Sequence, residues 1–383
     1  GLKVTQMKRF LVLGVFVLFW GCAEEKSSLD LQPQYQISFS EEMSLDFGEV
    51  GMSSEVLFSI SPLDEKNESF LVFNSFYRRL DTVSFSPEKM RLVPGVEVPK
   101  EGPGSIPGFA TFSYTEQGIL FFTANEFYYF KDRETIKIRM SEVFSDGSKS
   151  LKSIYGYDVT NGIFKSASFK GDFISIVVKD SETEKYTLMK YDFETFEEIP
   201  FSFDSEQISK HRISFDFAKG STVSNSFSPY LTVADSVIIV SYPFMNKISA
   251  VRLDNLKQAD FLPESQLFKS QKDKPIESSE IKSFEEFYEA SSKWQKDVNF
   301  GAIHRLNSRL LYRMVGAGEE KSRKLVLELF NNAFEKVGEF NLKDIHTDLK
   351  WFHTTVEGKI LIQSWKDPDE DIFKYYLISV DEI

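Results

Sequence analysis

The feature that most constrains this chain is a long repeat of short, strongly apolar segments. The segments are rich in Phe, Tyr, Val and Ile and are separated by Gly, Asp, Asn and Ser, which is typical of β-strands joined by turns. The separations between the starts of the most apolar strands, 49, 53, 64, 72 and 51 residues, indicate six copies of one unit. These strands start near Ser69, Gly118, Gly171, Asp235, Asn307 and Gly358.

Each unit continues with a further strand, as in EFYYFKD (126–132), but the sixth unit is one strand short. The segments YQISFS (35–40) and MSLDF (43–47) precede the first unit and could supply that strand. A ring of sheets closed in this way has no open edge. The predicted fold class is therefore all-β: a six-bladed β-propeller over residues 35–383, in which an N-terminal strand closes the last blade. A pair of large β-sandwiches is the alternative.

One segment, about residues 265–298, breaks the β pattern between the fourth and fifth blades. Ser283 and Glu286 have the spacing of a capping box, which marks a helix start. Apolar and small side chains then recur at helical spacing on one face: Ile281, Phe284, Phe287, Tyr288, Ser291 and Trp294. We expect a short helical insertion across one face of the disc. It would either contact a partner near the channel mouth or pack its aromatic side chains on the edges of its own blade.

The N-terminal residues have the composition of an export signal. A basic segment at Met7 to Arg9 precedes eleven residues, 10–20, that are all apolar or Gly. Eleven helical residues rise about 16 Å, roughly half of the ~30 Å hydrocarbon core, so this run predicts a signal peptide and not a membrane span. We therefore expect translation to start at Met7 and residues 1–21 to be removed.

The single cysteine, Cys22, directly follows this run. The arrangement resembles the lipobox of bacterial lipoproteins, although Phe19 and Trp20 replace the usual Leu and small residue. Lipid on Cys22 would attach the protein to a membrane, and residues 22–34 would be a polar tether. Ala23, in place of Asp, favours an outer-membrane lipoprotein on the periplasmic or cell-surface side. An ordinary secretory signal with a chance cysteine is the alternative.

The charge balance argues against nucleic acid as a partner. The chain has 45 Lys and Arg against 58 Asp and Glu, a net charge of −13. Affinity for nucleic acid comes mainly from basic side chains that neutralise phosphates. The predicted partners are instead the membrane, through the lipid on Cys22, and a glycan, a peptide or another protein.

The stretch from Phe70 to Phe109 resembles the first blade of a known family. Asn74 at a strand end and the turn at 101–106 (EGPGSI) carry the likeness. The family is the DUF4221 group of Bacteroidota lipoproteins, or TolB-like six-bladed propellers. The resemblance implies a propeller fold and an envelope location, and it implies no particular reaction because that family has no assigned activity.

Four residues are candidates for ligand binding. His304 and His353 lie on the presumed innermost strands of units five and six, near the expected channel. Trp294 belongs to the predicted helix, and Trp351 lies beside His353. Two imidazoles could begin a metal site, but a metal needs three or four ligands with an ordered outer shell, and the sequence assigns none to complete it.

The sequence therefore assigns no catalytic residue, metal ligand or cofactor, and it contains no Gly-x-Ser-x-Gly nucleophile motif. The leading hypothesis is a lipid-anchored, non-catalytic binding or interaction module. The alternatives are a metal-dependent hydrolase centred on the channel, similar to lactonase-type propellers, and a structural subunit of an envelope complex.

Overall fold

The computed structural model describes residues 34–46, 60–62, 69–86, 90–115, 118–143, 152–157, 173–192, 194–218, 220–365 and 372–383. The predicted signal peptide, Cys22 and most of the tether lie outside these residues. No helix among the described residues has the length and apolarity that crossing a membrane requires.

Two strands precede the repeated units: β1 (Tyr35–Phe39) and β2 (Met43–Asp46). The first three units follow in chain order: β3 (Ile60–Pro62), β4 (Ser69–Asn74), β5 (Arg79–Phe85) and β6 (Met90–Glu97); β7 (Thr111–Thr115), β8 (Gly118–Phe122), β9 (Glu126–Lys131) and β10 (Glu134–Arg139); β11 (Lys152–Tyr157), β12 (Ile174–Asp180), β13 (Tyr186–Tyr191) and β14 (Phe196–Ile199). A short helix, α1 (Met140–Val143), connects the second and third units.

A helix and a separate hairpin come between the third and fourth units: α2 (Ser205–Lys210), β15 (Arg212–Ala218) and β16 (Ser221–Ser226). The remaining units and the main helix follow: β17 (Tyr230–Ala234), β18 (Val237–Tyr242), β19 (Met245–Arg252) and β20 (Gln258–Phe261); α3 (Phe284–Gln295); β21 (Asn299–Phe300), β22 (His304–Arg305), β23 (Leu310–Ala317), β24 (Lys324–Asn331) and β25 (Lys336–Asn341); β26 (Leu349–Val356), β27 (Lys359–Ser364) and β28 (Ile372–Glu382). Single 3₁₀ turns lie at Ser278–Glu280, Glu320–Ser322 and Leu342–Asp344.

The fold is a β-propeller, as the repeat predicted. Antiparallel units of four strands follow one another, and each of the predicted apolar strands is the second strand of its unit. These strands are almost fully buried between neighbouring units, which explains their uninterrupted apolar runs. The described residues contain six such units, and the count of six blades for the complete chain stays a prediction because parts of the chain lie outside them.

The N-terminal closure of the last unit is present. β1 pairs antiparallel with β28 from Tyr35 opposite Glu382, and β2 continues along the same strand to Asp46 opposite Ile372. β2 also pairs in parallel with β6 at Leu45 and Met90, so the last unit is hydrogen-bonded to the first. Met43 and Leu45 are buried in the core between these units.

The hairpin β15–β16 is an addition that the sequence analysis missed. Its residues alternate like an ordinary strand pair, and only the long interval of 64 residues between Gly171 and Asp235 records it. The hairpin joins no blade, since β15 and β16 pair only with each other among the described strands. The described part of the chain therefore has two insertions, of which the sequence analysis predicted one.

Candidate functional site

Topology places both insertions on one side of the propeller. Successive strands of a unit alternate in direction, so the connection to the next unit emerges at the same end as the turn between its second and third strands. The hairpin and α3 both belong to such connections, and we call this end the insertion side. The N-terminal strand starts at the opposite end, where the carbonyl of Gln34 accepts a hydrogen bond from the amide of Ile383 at 2.8 Å. We call that end the entry side.

The helix α3 starts where the capping box predicted. The amide of Glu286 donates to Ser283 Oγ at 3.2 Å. The return bond is shifted by one residue, because Glu286 Oε2 accepts from the amide of Lys282 at 2.7 Å. Glu285 and Glu286 in the first turn also favour the positive end of the helix dipole.

The helix packs on the hairpin and not on the edges of its own blade. Ile281, Phe287 and Trp294 form one buried cluster with Ile213 and Phe215 of β15. This contact keeps the two insertions together, because each covers apolar surface that the other would leave in water.

Two residues of the predicted buried face are exposed instead. The exposed fraction is 42% for Phe284 and 63% for Tyr288. Ser291 is buried, and its Oγ accepts from Asn225 of the hairpin at 2.8 Å. The apolar stripe predicted from the sequence is therefore narrower in the structure.

A buried lysine fastens the segment before the helix to the end of the helix. Lys272 is 2% exposed, and its ammonium donates to the carbonyls of Trp294 at 2.7 Å and Asp297 at 3.2 Å. The ammonium lies 5.1 Å from the centroid of the Phe227 ring. Burial lowers the pKa of Lys272 to about 8. His211 is fully buried beside it, with Nε2 3.2 Å from the carbonyl of Lys272.

A groove of about 890 Å³ lies between α3 and the segment at residues 273–281 that runs beside it. Its apolar floor is formed by Ile281, Ala290 and Trp294, and charged side chains of both signs line its edges. The indole nitrogen of Trp294 donates to the carbonyl of Asp273 at 2.8 Å, which fixes one end of the segment against the helix. This groove is a concave surface with an apolar centre and polar edges, which is the usual form of a ligand site.

The two candidate histidines lie close together, apart from the groove. The ring centroids of His304 and His353 are 5.3 Å apart, and Tyr312 packs within 5.7 Å of both. Burial lowers the pKa of His353 to about 4 and holds that of His304 well below its ordinary value. Both imidazoles are therefore neutral at pH 7. Among the described residues, no group of three or more His, Cys, Asp or Glu side chains could hold a metal ion.

The two candidate tryptophans have different environments. Trp294 is buried where α3 contacts the hairpin, whereas Trp351 is half-buried near the histidines. A Cβ on Gly316 would lie 2.7 Å from the Trp351 ring, and one on Gly301 would lie 3.3 Å from it, so the two glycines make room for the indole. The structure thus brings His304, His353 and Trp351 together and places Trp294 in the floor of the groove. A role in binding stays a prediction for all four.

Sequence reasoning missed the residues that form the groove with Trp294. Ala290, Glu289 and Lys293 lie on the helix face next to the one predicted to be buried. The opposing segment has no regular strand or helix beyond one 3₁₀ turn, so no periodicity places it beside the helix. The only sequence signal was the interval of 72 residues between Asp235 and Asn307, which records an insertion but not its course.

No family model matches the sequence, and no curated protein matches it significantly. A member of the DUF4221 family from Bacteroides vulgatus matches in structure with a TM-score of 0.61 and 14% identity, and the match covers 92% of this chain and 100% of that chain. A candidate exported protein from Bacteroides fragilis has a TM-score of 0.47 and 12% identity, with 93% and 98% coverage. The calcium-binding protein regucalcin from Agrobacterium tumefaciens has a TM-score of 0.41 and 8% identity, with 88% and 94% coverage.

The resemblance to DUF4221 proteins that residues 70–109 suggested is thus confirmed at the level of the fold, and it extends over nearly the whole chain.

Proposed function

We propose that this protein is a lipid-anchored member of the DUF4221 family that binds a peptide, or a peptide segment of a protein, in the groove on its insertion side. The groove beside α3 is the observation that supports this proposal. Its volume of about 890 Å³ lies at the upper end of the range for small-ligand sites. Its apolar floor at Ile281 and Trp294, edged by charges, suits a segment with alternating apolar and polar side chains.

A rigid frame supports the groove. The carbonyls at the end of α3 are held by the buried ammonium of Lys272, and the start of α3 is capped by Ser283. Binding would therefore order few protein groups, which lowers the entropy that binding costs. A loop or insertion held on a rigid scaffold is where binding surfaces commonly lie.

Orientation supports the same proposal. The described chain begins at the entry side, at Gln34, twelve positions after Cys22. A lipid on Cys22 would hold the entry side towards the membrane. The groove, on the insertion side, would then face away from the membrane and meet partners in the periplasm or at the cell surface.

Replacing Cys22 with Ser tests the anchor. We expect the variant Cys22→Ser to move from the outer-membrane fraction to the soluble fraction, because a protein with this net charge has no electrostatic attraction to an anionic membrane. Fractionation of the native host, followed by immunoblotting and metabolic labelling with a palmitate analogue, measures the change. Label on Cys22→Ser, or an unlabelled native protein, would contradict the lipid anchor.

A random peptide library tests the groove. We expect the purified propeller to select peptides whose affinity falls about tenfold or more in the variant Ala290→Trp, because the larger side chain fills the groove. Ser292→Trp is the matched control, since Ser292 lies on the exposed side of the same helix outside the groove. Thermal melts check that both variants fold. Peptides that bind both variants as well as the native protein would contradict the proposal, and selective binding of oligosaccharides instead would favour a glycan.

A further inference from the structure

The groove has two distinguishable ends because the segment at 273–281 runs antiparallel to α3. Asp273 lies beside the helix end, where its amide donates to Asp297 Oδ2 at 2.7 Å. Ile281 lies at the helix start and packs in the same buried cluster as Phe287. The net charge of the groove can therefore be considered separately at the helix start and at the helix end.

The end at the helix start is acidic. Glu280 from the segment and Glu286 and Glu289 from the helix line it. None of these three carboxylates forms an ion pair with a cation of the described chain, although Glu286 accepts the capping hydrogen bond from Lys282. All three are exposed, so their charge acts on whatever enters the groove.

The end of the groove beside the C-terminus of α3 is basic. Asp273 and Asp297 also lie there and share one cation, Lys269, with Nζ to Oδ2 distances of 2.8 Å, so one negative charge of this pair remains. Lys274 and Lys293 line the groove, and no described carboxylate forms an ion pair with either. Their two positive charges exceed the one negative charge left on the aspartates, so this end is net positive, and Lys296 is paired with Glu319 at 2.5 Å.

The length of the groove sets the size of the ligand. Glu286 and Asp297 are eleven residues apart along α3 and the two residues that follow it, which is about 16 Å at the helical rise. An extended peptide covers that distance in about five residues. Ala290 lies between Glu289 and Lys293 on the helix, and Ile281 and Trp294 add apolar surface beside the acidic end and the basic end.

We propose that the groove binds a short extended peptide segment that has a cationic group at one end, apolar side chains in the middle and an anionic group at the other end. This inference rests on the proposed function and adds the charge pattern of the ligand. A segment with two positive ends would meet repulsion at Lys274 and Lys293, and one with two negative ends would meet it at Glu280 and Glu289. Such repulsion gives selectivity between peptides of equal apolar content.

Four blocked, fluorescently labelled peptides with one shared apolar core test the charge pattern by anisotropy. The first has Lys at one end and Glu at the other, and the others have Lys at both ends, Glu at both ends or Gln at both ends. We expect the mixed peptide to bind about tenfold more tightly than the two with like charges. We also expect this preference to shrink at high salt, because the groove is open to water.

Variants of groove residues test which charged end of the peptide each end of the groove binds. Glu289→Gln should weaken binding of the mixed peptide and of the peptide with two Lys, and should leave the peptide with two Glu no weaker. Lys293→Gln should weaken binding of the mixed peptide and of the peptide with two Glu, and should leave the peptide with two Lys no weaker. Glu285→Gln is the matched control, because Glu285 is exposed on the same helix but does not line the groove.

Equal affinity for all four peptides, or equal loss in Glu289→Gln and Glu285→Gln, would overturn the charge pattern. The proposed function fails separately, since it falls only if the random library yields no peptide that Ala290→Trp excludes. A library that yields such peptides without oppositely charged ends would retain the groove as a binding site and refute this inference.

Discussion

A chain that begins at residue 47 is expected to lose the cooperative unfolding of the native protein. It lacks β1 and β2, which pair along the full length of β28 and bury Met43 and Leu45 in the core between the last and first units. Truncating one buried Leu or Met side chain costs about 2–5 kcal/mol, so losing both with their strand should lower the free energy of unfolding by about 5 kcal/mol or more. That is a large part of the stability of a typical domain.

Two measurements check this expectation. Circular dichroism during thermal unfolding should show a broad transition at a lower temperature, and size-exclusion chromatography should show association, because β28 would become an open edge. A chain that begins at residue 34 keeps both strands and serves as the control. We expect its thermal unfolding transition to match that of the native protein. A truncated chain that melts within a few degrees of this control would show that the last unit is stable without its N-terminal strand.

Glu328→Leu is expected to destabilise the fifth unit strongly. Glu328 and Arg313 are opposite each other on β24 and β23, and both side chains are fully buried. The guanidinium of Arg313 donates from Nε to Glu328 Oε2 at 2.9 Å and also bonds Asn246, while Lys336 bonds the other carboxylate oxygen at 2.7 Å. Without Glu328 the charge of Arg313 would be buried without compensation, which costs about 3–5 kcal/mol. Urea denaturation measures the loss.

The double variant Arg313→Met and Glu328→Leu is the control, and it should recover most of the lost stability because it removes both buried charges. A single variant as stable as the double one would show that Arg313 does not depend on Glu328.

Acid should weaken the same cluster. Burial alone would raise the pKa of Glu328, but attraction to Arg313 and Lys336 outweighs burial and lowers it below the ordinary 4.5. The unfolded chain therefore takes up the proton first as the pH falls, so the stability from this carboxylate is present above about pH 4.5 and is lost below it. The acid-induced loss should be smaller in the double variant.

The elements with strong local signals were predictable from the sequence. The second strand of each unit has an apolar run because neighbouring units cover both its faces, and the helix start has a capping box with its side chains at fixed spacing. The N-terminal closure was predictable because an incomplete last unit requires a partner strand. These signals depend on neighbours in the sequence or on a repeat count.

The candidate site depends on contacts that no local pattern encodes. The segment at 273–281 has no periodicity, and its place beside α3 is fixed by Lys272 and by the indole of Trp294. The buried ion pair did leave a signal, because Arg313 and Glu328 each interrupt an otherwise apolar strand at positions that the antiparallel register brings together. Recognising it required the pairing of β23 with β24.

The pairing of β1 with β28 determines when, during synthesis, the ring of sheets can close. The ribosome makes the residues of β1 long before those of β28, so a nascent chain holds one strand of this pair while the other has not yet been made. The ring can close only after β28 has been synthesised. A translation product that stops before β28 would keep β1 without its partner strand, and an unpaired strand edge exposes a chain to aggregation.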